Sequence, residues 1–130
     1  GFALAAGVCR PNAETWLLWG DGSSAFSLAE FDSMARHGCP TIAVVGNDAS
    51  WNQIAREQVE ILGDAVSTEL AFSDYHRVAE GYGGVGLRID RDDQIAEALA
   101  EAKRLRASGK PVLINAILGQ SDFRKGSISM

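Results

Sequence analysis

Cysteine, proline and clustered basic residues are all scarce in this 130-residue chain, which contains two cysteines and three prolines. Cys9 and Cys39 form neither a metal-binding spacing nor a disulfide framework, so we expect buried, reduced thiols in a cytoplasmic protein. The net charge of −5 and the lack of a Lys/Arg cluster argue against a nucleic-acid surface. No apolar run is long enough to cross a membrane, and the N-terminus lacks the basic start of a signal peptide.

Hydrophobic residues make up 46% of the chain and include three Trp and five Phe, which indicates a packed globular core. The length predicts one domain over residues 1–130. Residues 2–6 read as helix from the second position, and we therefore expect the chain to be a piece of something longer.

Apolar runs and helical spacings alternate along the chain. Strands are predicted at 15–19, 41–45, 85–89 and 111–118, and helices at 2–9, 27–37, 51–62, 74–80 and from Asp92 to a stop at Gly109. The run at 15–19 has no polar alternation and predicts a central strand covered on both faces. The alternation predicts an α/β fold, a doubly wound open parallel sheet with helices on both faces. Residues 63–73 predict a loop, and residues 120–130 are polar and irregular.

Two loops follow the first two predicted strands, Gly-Asp-Gly-Ser at 20–23 and Gly-Asn-Asp-Ala at 46–49. The carboxyl ends of parallel strands face one crevice, so Asp21 and Asn47 can converge there. A carboxylate, an amide oxygen and a carbonyl such as that of Ala49 suit Mg²⁺. Gly22 lets the backbone approach a phosphate, and the helix expected near Ser23 would point N–H groups at it. The pattern predicts a metal-bridged diphosphate.

The same pattern has plainer interpretations. Asp-Gly is a common turn pair, so residues 20–23 alone are equally consistent with a turn. A non-enzymatic, receiver-like module would also place an aspartate beside Mg²⁺ at a strand end. Such a module would want an acidic cluster beside the first strand and a lysine at the end of a later strand, whereas Lys110 precedes its strand. A dinucleotide fold is disfavoured because no Gly-x-Gly-x-x-Gly follows the first strand.

The paired loops resemble the signature of thiamine-diphosphate-dependent enzymes, Gly-Asp-Gly followed about two dozen residues later by Asn-Asn or a variant. The chain looks like their C-terminal, diphosphate-binding domain, incomplete at its N-terminus. Further stretches resemble the acetolactate-synthase-like branch, which includes 2-hydroxyacyl-CoA lyases: 27–32, 36–38, 45–51, 54–59, 68–71, 74–76 and 122–128. The resemblance covers nearly the whole chain.

This resemblance implies thiamine diphosphate and Mg²⁺ as cofactors. It places the metal ligands at Asp21, Asn47 and the carbonyl of Ala49. The cofactor contacts then comprise Gly20, Asp21, Gly22, Ser23, Asn47, Ala49, Ser50 and Trp51. Two departures occur: Gly46 replaces the first Asn of the usual pair, and Ala49 stands where relatives often have Gly.

The resemblance also implies what this chain does not carry. The family's catalytic glutamate lies in a separate pyrimidine-binding domain, and a neighbouring subunit completes the pocket. We therefore expect no catalytic residue here, an inactive isolated chain and a homo-oligomeric parent enzyme that makes or breaks C–C bonds beside a carbonyl. Its substrate would be a 2-ketoacid or a 2-hydroxyacyl-CoA. Glu30, Glu57, His37 and His76 read as surface or helix-end residues, and Arg124 and Lys125 as a solvated tail.

Overall fold

A computed structural model describes residues 1–119 of the chain. Its four strands form one parallel sheet in the order β1-β2-β4-β3, with Thr15 beside Thr41, Ile42 beside Val112 and Val85 beside Val112. The elements in chain order are α1 (Phe2–Cys9), β1 (Thr15–Gly20), α2 (Asp21–Ser24), α3 (Glu30–Arg36), β2 (Thr41–Asn47), α4 (Asn52–Leu62), α5 (Tyr75–Gly81), β3 (Val85–Ile89), a 3₁₀ turn (Asp92–Gln94), α6 (Ile95–Ala107) and β4 (Val112–Ile117). The predicted α/β fold with a parallel sheet is confirmed.

Each face of the sheet carries its own hydrophobic core, as alternation along the strands requires. On one face Phe31 of α3 and Ala79 of α5 pack against Ala43 and Val45 of β2. On the other, Ala102 of α6 packs with Ile42 of β2 and Ile114 of β4. Helices therefore cover both faces, and the sheet is doubly wound.

Strand β1 differs from its prediction. Among residues 1–119 it is an edge strand, and Leu18 is 76% exposed, so its apolar run does not mark a central strand covered on both faces. The helical region after it is also divided, because one short turn of helix precedes a bend and α3 begins only at Glu30. Of the two thiols, Cys39 is buried as expected, whereas Cys9 is exposed.

Two sequence predictions concern regions without regular structure. Residues 63–74 lie between α4 and α5 and contain no helix, although Ser50 and Glu69 form an isolated antiparallel bridge. The stretch 122–128, including Arg124 and Lys125, lies outside the described residues. Among the helices within 1–119, none combines the length and apolarity that a membrane crossing demands.

Candidate functional site

Asp21 is the first residue after β1, where the chain turns directly into α2. The residue is 2% exposed. One carboxylate oxygen accepts a hydrogen bond from the Gly22 amide at 2.8 Å, and the other accepts one from the Ser50 amide at 3.1 Å. Because Ser50 follows β2, this second bond ties together the two loops that the sequence predicts to converge.

Burial raises the pKa of Asp21, and the negative charge of Asp48 raises it further, although the amides of Gly22, Ser50 and Ala49 oppose the shift. None of the ion pairs found within residues 1–119 includes Asp21. An ionised carboxylate that is buried without a cationic partner is unfavourable, and a bound cation would relieve that cost.

Asn47 is the last residue of β2 and is fully buried. Its Oδ1 accepts a hydrogen bond from the Ala49 amide at 3.3 Å. The next amide along the loop, that of Ser50, donates to the Asp21 carboxylate. Adjacent N–H groups of one loop therefore contact an oxygen atom of each predicted ligand, which brings the two side chains to one place.

The Ala49 backbone has a φ of 55°, in the left-handed region that glycine adopts freely. Alanine adopts this conformation at a cost that glycine would not incur. The Ala49 carbonyl, the third predicted metal ligand, accepts a hydrogen bond from the Leu70 amide at 2.8 Å. A carbonyl oxygen has two lone pairs, so this bond leaves one for a cation.

The irregular segment 63–74 holds the second loop in place, which the sequence did not indicate. The Trp51 amide donates to the Thr68 carbonyl at 2.8 Å, and the Ser50 hydroxyl donates to the same carbonyl at 3.4 Å. Together with the bond between Leu70 and Ala49, these contacts fix both sides of the loop.

Six of the eight predicted cofactor contacts line one cleft of about 560 Å³ at this edge of the sheet, namely Gly20, Asp21, Gly22, Ser23, Ser50 and Trp51. Asn47 and Ala49 do not line the cleft. The Trp51 indole forms one wall: a Cβ atom on Gly22 would lie only 2.5 Å from its Cε2 atom. The ring also makes an edge contact with Phe26 at 6.2 Å between centroids.

The close approach of the Trp51 indole to Gly22 can be tested in the absence of any ligand with the variant Gly22→Ala. We expect the variant to lower the free energy of unfolding by about 1–3 kcal/mol, because the new methyl group must displace the indole. In a Trp51→Ala background the same change should have a much smaller effect. Urea unfolding of the four proteins in this cycle measures the coupling.

Gly20→Ala is the matched control, since its Cβ would meet no atom closer than the Ser23 Oγ at 3.7 Å. We expect a change below about 0.5 kcal/mol. Equal costs of Gly22→Ala with and without the Trp51 ring would contradict the steric explanation.

The remaining sequence candidates lie as follows. The Ser23 hydroxyl donates to the Gly20 carbonyl at 2.9 Å and accepts from the Gly20 amide at 3.1 Å, so it secures the turn. His37 is exposed at the C-terminal end of α3. Glu30 lies at the other end of this helix, in its first turn. Within residues 1–119 no three His, Cys, Asp or Glu side chains group as a metal site. A metal here would therefore need amide and main-chain oxygens beside Asp21.

Two residues that lie near the site were not identified from the sequence. Burial and the negative charge of Asp21 raise the pKa of Tyr75, so its phenol lies within the influence of that carboxylate. Asn115 is fully buried and hydrogen-bonds to Asn47. Asn115 could have been recognised from the sequence, because it is a polar residue within the apolar run of β4. No comparable sequence signal marks Tyr75.

The fold and the site together define an α/β domain with a ligand cleft at the carboxyl edge of a parallel sheet. The family profile "thiamine pyrophosphate enzyme, C-terminal TPP binding domain" matches residues 1–116. The chain belongs to this family of thiamine-pyrophosphate-binding domains, and the resemblance noted in the sequence is confirmed.

Individual relatives agree with this assignment. The chain is 52% identical to the zebrafish 2-hydroxyacyl-CoA lyase 2 and 49% identical to the human one, with all of the chain aligned to 21% of each relative. It is 33% identical, over 93% of its length, to 22% of the acetolactate synthase large subunit IlvG of Mycobacterium tuberculosis. The chain thus spans about a fifth of these relatives.

A solved structure supports the fold. The thiamine-diphosphate-dependent 4-hydroxybenzoylformate decarboxylase of Rhodococcus jostii superposes with a TM-score of 0.83 at 21% identity, over 92% of this chain and 22% of the other.

Proposed function

We propose that this chain binds the diphosphate of thiamine diphosphate through Mg²⁺, held by the Asp21 carboxylate, the Asn47 Oδ1 atom and the Ala49 carbonyl. The observation that carries the proposal is the buried Asp21 carboxylate at the end of β1, joined to the loop after β2 by the Ser50 amide. These oxygen donors are the type that Mg²⁺ takes in proteins, where it also keeps waters and phosphate oxygens. The donor set fits the group.

The cleft beside Asp21 supports the placement of the diphosphate. Gly22, Ser23, Ser50 and Trp51 all line this cleft. The Trp51 indole occupies the space that a Gly22 side chain would fill, so the absence of a side chain lets this wall of the cleft pack against the Gly22 backbone. Asp48 also lines the cleft, and a bound Mg²⁺ would offset the repulsion between its negative charge and the diphosphate.

Thiamine diphosphate, when bound, supplies an electron sink for the carbanion formed beside a carbonyl. The share of this chain is to anchor and orient the cofactor. We propose that a pyrimidine-binding domain from another subunit of an oligomeric enzyme supplies the catalytic glutamate, and that the isolated chain is inactive.

The relatives favour one of the two substrate classes. Identity is 41–52% to relatives named 2-hydroxyacyl-CoA lyase 2, against 33% to an acetolactate synthase. We therefore propose that the parent enzyme cleaves a C–C bond of a 2-hydroxyacyl-CoA, with 2-ketoacid carboligation as the alternative.

Tryptophan fluorescence tests the cofactor assignment directly, because Trp19 and Trp51 both line the cleft. Titration with thiamine diphosphate should give saturable quenching in the presence of Mg²⁺, and EDTA should reverse it. If this chain, which would form only half of the pocket, binds the cofactor too weakly to measure, the titration is repeated with the matching pyrimidine-binding domain added. Failure of quenching under both conditions would overturn the proposal.

A further inference from the structure

Behind the candidate metal site lies a buried network of carboxamides. Asn115 of β4 and Asn47 of β2 are both 0% exposed, and Asn47 donates from Nδ2 to the Asn115 Oδ1 at 3.2 Å. The Ser73 carbonyl accepts from Nδ2 of Asn47 at 3.2 Å and from Nδ2 of Asn115 at 3.0 Å. His76 Nδ1 lies 3.4 Å from the Asn115 Nδ2.

These contacts determine which way each carboxamide points. A flipped Asn47 would place its oxygen against the Ser73 carbonyl and its NH₂ group against the Ala49 amide, which are two repulsive contacts. A flipped Asn115 would likewise set oxygen against the Ser73 carbonyl. Only the observed orientation pairs every donor with an acceptor.

The same contacts use most of the hydrogen-bonding groups of the Asn47 carboxamide. Both hydrogens of its NH₂ group are used, one on Asn115 and one on Ser73. Its Oδ1 accepts from the Ala49 amide, which leaves one lone pair unused. Because both hydrogens are donated away from the cleft, the oxygen is the only part of the carboxamide left for a cation.

We infer that Asn115 is a positioning residue that holds the Asn47 carboxamide with its oxygen toward the metal, an inference that rests on the proposed function. Partners behind metal ligands orient those ligands and raise their basicity, and their loss commonly lowers metal affinity 10- to 100-fold. The Ser73 carbonyl contributes through the backbone, so Asn115 is the side chain through which the effect can be tested.

The test uses Asn115→Leu, which matches the shape of asparagine but offers neither an acceptor to Asn47 nor a donor to Ser73. Mn²⁺ serves as the probe because it takes the same oxygen ligands and its free concentration is read by electron paramagnetic resonance. With thiamine diphosphate at one fixed concentration, and the Mn²⁺ bound by thiamine diphosphate alone subtracted, we expect Mn²⁺ to bind about 10- to 100-fold more weakly than to the unaltered protein. Asn115→Ser, whose smaller side chain admits a bridging water, should show a smaller loss and guards against misfolding of the leucine variant.

Ile114→Val is the matched control, since Ile114 is equally buried next to Asn115 but belongs to the core on the opposite face of the sheet. It should lower stability without weakening Mn²⁺ binding. A second readout needs no metal: the Asn47 NH₂ resonances should be protected from solvent exchange in the unaltered protein and lose protection in Asn115→Leu.

The outcomes separate the two proposals. If the unaltered protein fails to bind Mn²⁺ with thiamine diphosphate, even with the pyrimidine-binding domain added, the proposed function fails and the positioning role fails with it. If it binds, and both folded Asn115 variants bind Mn²⁺ equally well, only the positioning role is overturned.

Discussion

Asp21→Ala is expected to weaken Mg²⁺-dependent binding of thiamine diphosphate at least 100-fold. The variant removes the only carboxylate in the proposed ligand set, and the remaining ligands, an amide oxygen and a carbonyl, are neutral. It also leaves the amides of Gly22 and Ser50 without their acceptor, which loosens the junction between the two loops. Fluorescence titration at fixed Mg²⁺, with circular dichroism to verify folding, measures the loss.

Asp48→Ala provides the control for charge alone. Asp48 lines the same cleft and acts on the pKa of Asp21 through its charge, but it is outside the proposed ligand set. We expect its removal to change binding less than tenfold, because it lowers attraction for the metal and repulsion of the diphosphate together. Equal losses in the two variants would indicate that general charge, and not ligation by Asp21, governs binding.

The sheet and its carboxyl edge were accessible from sequence because their signals are local. The run 41–45, which is rich in β-branched residues, has a strong strand preference, and a parallel sheet places the loops after neighbouring strands side by side. The convergence of Asp21 with the loop that follows Asn47 could therefore be predicted from the positions of two strand ends alone. No knowledge of how the rest of the chain packs was required.

What the sequence did not indicate depends on contacts between distant segments. The Thr68 and Ser73 carbonyls support the site through the backbone, which no side-chain pattern records. The position of β1 is a different case: its apolar run predicts burial on both faces, whereas Leu18 remains exposed in the described chain. A hydrophobic pattern reports which surfaces are apolar, and it cannot say which element covers them.

Packing between helix and strand provides the last and largest expected effect on stability. A Cβ atom on Gly86 of β3 would lie 2.4 Å from the carbonyl oxygen of His76 in α5 and 2.7 Å from its carbonyl carbon. Backbone atoms of a packed helix cannot rotate aside as a side chain can. Gly86→Ala should therefore lower the free energy of unfolding by about 3 kcal/mol, the upper part of the usual range for overpacking. Urea unfolding followed by circular dichroism measures it.

Gly81→Ala tests whether this cost arises from contact or from the loss of a glycine. Gly81 is the last residue of α5, and a Cβ atom there would meet nothing within 4 Å. Alanine favours the helix over glycine, so this variant should leave stability unchanged or raise it by up to about 1 kcal/mol. A loss comparable to that of Gly86→Ala would contradict the proposed close approach. Because His76 also approaches Asn115, displacement of α5 in Gly86→Ala should disturb the network behind Asn47, which Gly81→Ala should leave intact.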